Sequence, residues 1–367
     1  MTATKLLSAT LQIRQFPLGS PLPPSVSQWL AQHQPHPLFA TPSWFSNLAG
    51  FIQQRPEHHK DSAFYWLLVS IDDNIVLAAP LQQHTSLGHT RLRLLSNFYS
   101  PMLELFYDQQ QLSAESAWQT LLRALTLLCP GWLSLRLTPL TSVQVQHICE
   151  SATQQQCSAF SYQFSANYSA DCTDITQYWQ QRPSKLRNTL QRKARQLQKH
   201  NHRFELTANP TQTQISHYWQ IYQHSWKHPE PSKDFINWLF QWATAEGKLR
   251  LGLLYIDDQV VACQLWLVHN STACIFKLAQ DINANHFSPG SLLSEYMINR
   301  LTQQDHIHTL DFLLGDDDFK ALWMDQKQQI FGMELLNQQC LSGRLLGQLQ
   351  QLKQRIKHTF SVGGPRD

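Results

Sequence analysis

The stretch from Ile275 to Trp323 constrains the fold of this chain more than any other. It reads IFKLAQD, INANHF, SPGSLLSEYMINRLTQQ and HIHTLDFLLGDDDFKALW. A buried-looking strand runs into a loop, and a Ser-Pro-Gly turn opens an amphipathic helix. A second strand then ends in an Asp-rich turn and a short aromatic helix. Strand, helix, strand in this order is the unit of an α/β fold.

Upstream, KLRLGLLYIDDQVVACQLWLVHNSTACIFKLAQD predicts three strands joined by tight turns at Asp257-Asp258 and Asn270-Ser271. The first half repeats the pattern. TPSWFSNLAGFIQQ predicts a helix capped by Thr41, and AFYWLLVSIDDNIVLAAPL a hairpin about Asp72-Asp73-Asn74. SAESAWQTLLRALTLL predicts a further helix, WLSLRLTPL a strand, SVQVQHICESATQQQ a helix and CSAFSYQFSANYS a strand. The halves share this order without sharing motifs, so we expect a tandem duplication of one α/β unit joined near 165–173. The expected domains are 1–168, 169–340 and a basic C-terminal helix and tail over 341–367.

At 367 residues, 42% hydrophobic and 11% aromatic, the chain can bury two ordinary cores. A net charge of +3 excludes nucleic-acid binding by bulk attraction, leaving only a local basic patch. Such a patch lies in 182–203, where eight Lys and Arg residues surround an apolar stripe of Leu186, Leu190, Ala194 and Leu197. It reads either as a solvated helix face or as a track for phosphates. The N-terminus, MTATKLLSATLQIRQF, lacks the apolar core of a leader, and no window approaches the ~20 apolar residues that span a bilayer. Seven cysteines without a CxxC pair fit a reduced, cytoplasmic setting. His224 and His228 have metal-ligand spacing, with His217 before them, but no third-ligand motif accompanies them, so no metal is expected.

FKLAQDINANHFSPGSLLSEYMI, followed by LDFLLGDDDFKALW, resembles the GNAT-type acyltransferases of the CelD/BioF-like acetyltransferase-domain group, relatives of the FemAB aminoacyl-transferases. Lys277, Asp281, Ser288, Pro289, Gly290, Leu292 and Leu293 match the first part of that pattern. Asp311, Phe312, Gly315, Asp316, Phe319, Lys320 and Trp323 match the second. The resemblance covers about 170–340 and is looser in the first half. It implies tandem GNAT-like domains of mixed α/β sheets, the C-terminal one complete and the N-terminal one degenerate. Two positions depart from it: Gln280 stands where Tyr is common, and Leu314 where Arg is common.

The resemblance implies N-acyl transfer from acyl-CoA or an acyl carrier protein to a small amine, such as an amino sugar or amino acid, in a biosynthetic pathway. Transfer from aminoacyl-tRNA and a non-catalytic binding scaffold are the alternatives. In GNAT folds the pantetheine pairs with a strand edge, here 272–279, and the pyrophosphate sits at the following helix start. Lys277, Ser288, Gly290, Ser291 and Arg187 are therefore the donor-binding candidates. The first-turn amides of a helix lack intrahelical partners and favour anions, although Ser-Pro-Gly also reads as a plain helix start. Asp281, His286, Asp311 and Asp316 are candidates for the base that deprotonates the amine. Asp316 also reads as the cap of the short helix. Lys320 and Trp323 are candidate substrate contacts, or simply pack together.

Overall fold

The computed structural model describes residues 10–54 and 62–361, with side chains through residue 353. The first nine residues, on which the expectation about a leader rests, lie outside the described residues. Two compact units emerge: Met1–Phe164 with Gln329–Asp367, and Ser165–Gln328.

In the first unit β1 (Leu11–Pro17) precedes helices Pro24–Gln32 and Pro42–Gln53. Thr41 caps the second helix by accepting the Trp44 N–H at 3.0 Å. Strands β2 (Ser62–Ile71) and β3 (Asn74–Ser86) form the expected hairpin, with Asp72 and Asp73 at φ 48° and 63°. That pair of positive φ values gives the turn a twist matching the strands. Next come β4 (His89–Leu94), β5 (Phe106–Tyr107), helix Ala114–Leu128, β6 (Trp132–Leu140), helix Ser142–Gln154 and β7 (Cys157–Asp171). The sheet order is β1-β2-β3-β4-β6, with β4 and β6 parallel and the other pairs antiparallel.

The second unit opens with helices Ile175–Gln181 and Ser184–Leu197, broken at Arg182-Pro183. Arg182 is not on the basic face expected of it. It is 3% exposed, donates to the Tyr178 and Trp323 carbonyls and pairs with Asp325 at 2.5 Å. Strand β8 (His202–Thr207) and helices Gln212–His224 and Lys233–Ala245 follow. Then β9 (Leu249–Ile256), β10 (Gln259–His269) and β11 (Thr272–Gln280) form the expected meander, with positive φ at Asp257, Asp258, Asn270 and Ser271. A 3-10 turn (Ile282–Phe287), helix Pro289–Gln304, β12 (Thr309–Leu314) and helix Asp318–Trp323 complete the stretch that dominates the sequence. The order is β12-β11-β10-β9-β8, with β11 and β12 parallel, and β7 residues 167–171 antiparallel to β12.

β13 (Gln326–Asn337) and helix Leu341–Ser361 close the chain. β13 pairs with β6 through Phe331↔Leu140 to Leu336↔Ser134. Residues 329–340, expected in the C-terminal domain, therefore fall in the first unit, because their strand partner lies there. Each unit has its own core, one around Trp132 and Leu121, the other around Trp266 and Trp323.

Candidate active site

The parallel pair of the second unit comes apart. β11 and β12 stay in register only from Thr272↔Thr309 to Cys274↔Asp311, yet β11 continues to Gln280 and β12 to Leu314. Both strands bulge where they part. On β11 the register against β10 skips Phe276, and on β12 the register against β7 slips between Asp311 and Leu314. A bulge bends its strand and raises the local twist. The β12 bulge places Leu313 at φ 54°, and its N–H donates to Asp311 Oδ1 at 2.7 Å. Asn167 Nδ2 donates to the same oxygen at 2.8 Å. Asp311 thus fixes the bend, and burial raises its pKa against these hydrogen bonds.

A cleft of about 480 Å³ opens beside the parting. Its walls are Leu278 and Gln280 of β11, Phe312 of β12, and Ser288, Gly290 and Ser291 at the helix start. The loop after His224 adds Trp226 and Lys227, and the Asp-rich turn with its helix adds Asp317, Phe319 and Lys320.

The helix start is not the row of bare amides that the sequence suggests. Ser288 sits in the left-handed region at φ 52°, and Pro289 has no N–H. Gln280 Oε1 accepts the Gly290 N–H at 2.8 Å, while the Ser291 and Leu292 amides turn back to the Ser288 carbonyl. Gln280 is held in turn by Asn285 Oδ1, which accepts from its Nε2 at 2.6 Å. One of the two residues that depart from the resembled pattern is thus the one occupying the helix end. Gln264, fully buried, braces this end from below. Its Nε2 donates to the Gly290 carbonyl and Ser294 Oγ, both at 2.8 Å, and its Oε1 accepts from Trp266 Nε1. Sequence reasoning missed Gln264, although a lone amide in the apolar run VVACQLWLV is the signal for a buried polar network.

Of the sequence candidates, Ser288, Gly290, Ser291 and Lys320 line the cleft, and the others lie elsewhere. Asp281 caps the 3-10 turn, accepting the Asn283 N–H at 2.8 Å. His286 is exposed, its ring against Phe287, and its carbonyl accepts from Lys193. Asp316 is exposed and accepts from Lys327 Nζ at 2.7 Å and the Tyr168 hydroxyl at 2.8 Å, which lower its pKa. The cap of the short helix is Asp317 instead, through the Lys320 N–H at 3.0 Å. Arg187 points to solvent. Lys277 pairs with the buried Glu230 at 2.9 Å. Trp323 is fully buried against Trp179 and Phe319.

Lys320 is a structural tie at the cleft floor. Its Nζ donates to the carbonyls of Phe312 at 2.9 Å and Leu314 at 2.6 Å, the end of the bent strand. Burial lowers its pKa. Gly315 makes room for it: φ is +143°, and a Cβ there would lie 2.5 Å from Lys320 Nζ. Lys227 was not foreseen either; its only signal is a cation beside Trp in the Pro-rich loop SWKHPEPS. Burial, and then the Lys277 charge, push its amine down to about 8. The three histidines do not converge: His217 bonds the Tyr255 hydroxyl at 2.9 Å, and among the described residues no group of three or more ligating side chains is placed to hold a metal. Among those residues no helix is long and apolar enough to cross a membrane.

A parallel pair that splays at its C-terminal ends, with a helix starting beside one of them, gives the open strand edge and following helix start that the GNAT resemblance implies. The sequence agrees, since residues 184–321 match the family described as acetyltransferase (GNAT) domain. The match lies within the second unit. Among solved structures, that of FemX superposes with a TM-score of 0.52 at 10% identity, over 83% of this chain and 98% of that one. A tandem GNAT protein from the clavulanic acid biosynthesis pathway superposes with a TM-score of 0.50 at 10% identity, over 88% and 98%. At such identity the likeness establishes the fold, a tandem of GNAT-like units with the GNAT domain in the second. No curated protein matches the sequence.

Proposed function

We propose that the GNAT domain moves an acyl group from a thioester donor, acyl-CoA or an acyl carrier protein, to the nitrogen of a small amine. The observation that carries this is the edge of β11 that β12 leaves. Ile275 and residues 277–280 pair with β10 on one side, while on the other β12 has bent away after Cys274. An extended, amide-bearing arm such as pantetheine can add to that edge as a further strand. Its thioester then lies in the cleft, where a strand N–H can take the developing oxyanion. The amine attacks the carbonyl carbon, a C–N bond forms, the C–S bond breaks, and the thiolate leaves with a proton. The amine must first lose its own proton. Of the four candidate bases weighed from sequence none lines the cleft, whereas Asp317 does. Its Oδ1 is committed to the helix cap, and among the described residues its Oδ2 accepts no hydrogen bond.

Two observations favour a second reading, an aminoacyl-tRNA donor. The Gly290 N–H is already taken, so the helix end offers less to a pyrophosphate. Arg192, Arg195 and Lys199 line a hollow of about 450 Å³ on the exposed face of helix Ser184–Leu197, a feature suited to a phosphate backbone. One mixing experiment separates the readings. The full chain is incubated with pooled amines and either acyl-CoA or aminoacyl-tRNA, and acylated products are sought by mass spectrometry. Product from acyl-CoA alone supports the first reading, and product from aminoacyl-tRNA alone replaces it with the second. No product from either, with no acyl-CoA raising the melting temperature, leaves a binding scaffold.

A further inference from the structure

Three lysines gather where β11 and β12 part, and two of them are already employed. Lys277 is paired with Glu230, which is also hydrogen-bonded to the Tyr222 hydroxyl. Lys320 is tied to the strand-end carbonyls. Lys227 differs. It is only partly exposed, and among the described residues its ammonium has no hydrogen-bond acceptor. It stands over two ring faces, Tyr222 at 6.0 Å and Trp226 at 5.9 Å. A cation so withdrawn from water is costly unless something pairs with it. The charges around it do not balance it, because Glu230 is shared with Lys277 while Lys277 and Lys320 repel it.

From this geometry we infer that Lys227 is the receptor for a carboxylate on the substrate at the reacting end of the cleft. A phosphate would be expected to gather several N–H donors, and Lys227 offers a single ammonium among apolar walls of Trp226, Phe312 and Phe319. Nor is this the place for the donor's phosphates if they lie toward the helix start. Lys227 stands by Lys277, and the helix start begins past Gln280, three residues or ~10 Å further along an extended strand. The opposite charge is supplied in the same cleft by Asp317 Oδ2. An ammonium at Asp317 and a carboxylate at Lys227 describe one molecule, a small amine that also carries an acid, with an amino acid as its simplest form. This narrows the acceptor class and rests on the acyl-transfer reading only for which end of the cleft reacts. A carboxylate on the acyl group of the donor would satisfy Lys227 equally, so the test has an arm for each source.

Binding is measured by calorimetry on the full chain, with leucine and phenylalanine against leucinamide and phenylalaninamide, and with succinyl-CoA against acetyl-CoA. Wild type, Lys227→Met and Lys227→Arg are compared, and Lys227 is followed in wild type by NMR of ¹³C-labelled lysine. The expected result is that carboxylate exceeds amide by about 10- to 100-fold in wild type, the range of a charge-assisted pair. Lys227→Met erases that preference and leaves amide binding unchanged, Lys227→Arg keeps most of it, and the Lys227 resonance moves with carboxylate probes only. A preference confined to the amino acids assigns the carboxylate to the acceptor, and one confined to succinyl-CoA to the donor. A preference that survives Lys227→Met, or no probe that moves the Lys227 resonance, overturns the inference. Lys227-dependent binding without acyl transfer in the mixing experiment sinks only the transfer reading. Transfer with a Lys227-independent preference sinks only this one.

Discussion

Among the described strand pairings each unit has one parallel pair, β4–β6 in the first and β11–β12 in the second. Only the second opens. In the first, Thr90↔Trp132 runs to Arg93↔Arg136, and the ends are then stitched: Ser96 Oγ donates to the Thr138 carbonyl at 2.6 Å, and Arg93 to the Ser96 carbonyl at 3.3 Å. The segment that follows buries Leu95, Tyr99, Leu103 and Leu105 before helix Ala114–Leu128 begins. In the second, a bulge bends β12 away, and the chain reaches its helix within residues 281–288. The same sheet order therefore gives a sealed seam or a cleft, according to what crosses the parallel pair. A cleft needs its bent strand end satisfied from one side, and Lys320 does that without filling the gap.

The largest effect that tests this contrast is expected from Gly315→Ala. At φ +143° a side chain is strained, and the new Cβ pushes Lys320 Nζ off the carbonyls it holds. Strain of this kind costs about 1–3 kcal/mol. A urea midpoint lowered accordingly, together with more than about tenfold loss of transfer, is expected. The matching change at the first seam, Ser96→Ala, removes one hydrogen bond worth about 0.5–1.5 kcal/mol and leaves transfer unchanged. Equal losses of transfer in both variants would break the contrast.

Gln280→Ala tests whether the opened unit uses its helix end. Removing the amide frees the Gly290 N–H that now donates to it at 2.8 Å. Affinity for coenzyme A is expected to rise about two- to tenfold, one added N–H contact to a phosphate. Unchanged affinity, measured by calorimetry against dephospho and pantetheine fragments, places the phosphates elsewhere.

A smaller effect separates the charge state of the cleft from its shape. Lys227 faces Lys277, Glu230, Cys263 and Lys320, and its amine is pushed down to about 8. Unfolded, a lysine titrates near ~10.4. Between those values the unfolded chain binds the extra proton, so the lysine's cost to stability is full below pH ~8 and fades as pH rises. Lys227→Met is therefore expected to be more stable than wild type at pH 7, by a margin that shrinks above pH ~8. A margin constant from pH 7 to 10 would mean that the amine is not withdrawn from water.

Much of this was legible in the sequence, and the limits are physical. Asp-Asp and Asn-Ser turns between apolar runs announce hairpins, because two consecutive positive-φ residues suit that twist. The Ser-Pro-Gly start and the Asp-rich turn were placed correctly as elements, and four of the residues singled out there line the cleft. Strand partners were not legible. β7 follows β6 in sequence, yet its residues 167–171 pair with β12, while β13, which follows β12, pairs with β6. An apolar alternation says which face is buried and nothing about the neighbour. Nor does it rank charged residues by depth. Arg182 reads as one more exposed cation, and only the break at Pro183 turns it inward to the Trp323 carbonyl. The acids misled for a related reason: Asp281 caps a turn and Asp311 fixes a bulge, roles that short acidic side chains fill wherever a chain changes direction.

The smallest expected effect lies in the sealed unit. Beside Tyr107, Trp118 and His147, Glu104 lines a hollow of about 170 Å³, and burial pushes its carboxyl up to about 7. In the unfolded chain it titrates near ~4.3. Between pH ~4.3 and ~7 the folded state keeps a proton that the unfolded state has released, so this group lowers stability as pH rises through that window. Glu104→Gln removes the dependence. It should match wild type near pH 4, exceed it increasingly toward pH 7, and then hold a constant advantage, as read from urea midpoints at each pH. Transfer activity should not change, because the sealed seam is expected to supply structure and no chemistry. A Glu104→Gln variant that gained stability but lost transfer would show that the first unit also takes part in the reaction, and the division of labour between the two parallel pairs would have to be redrawn.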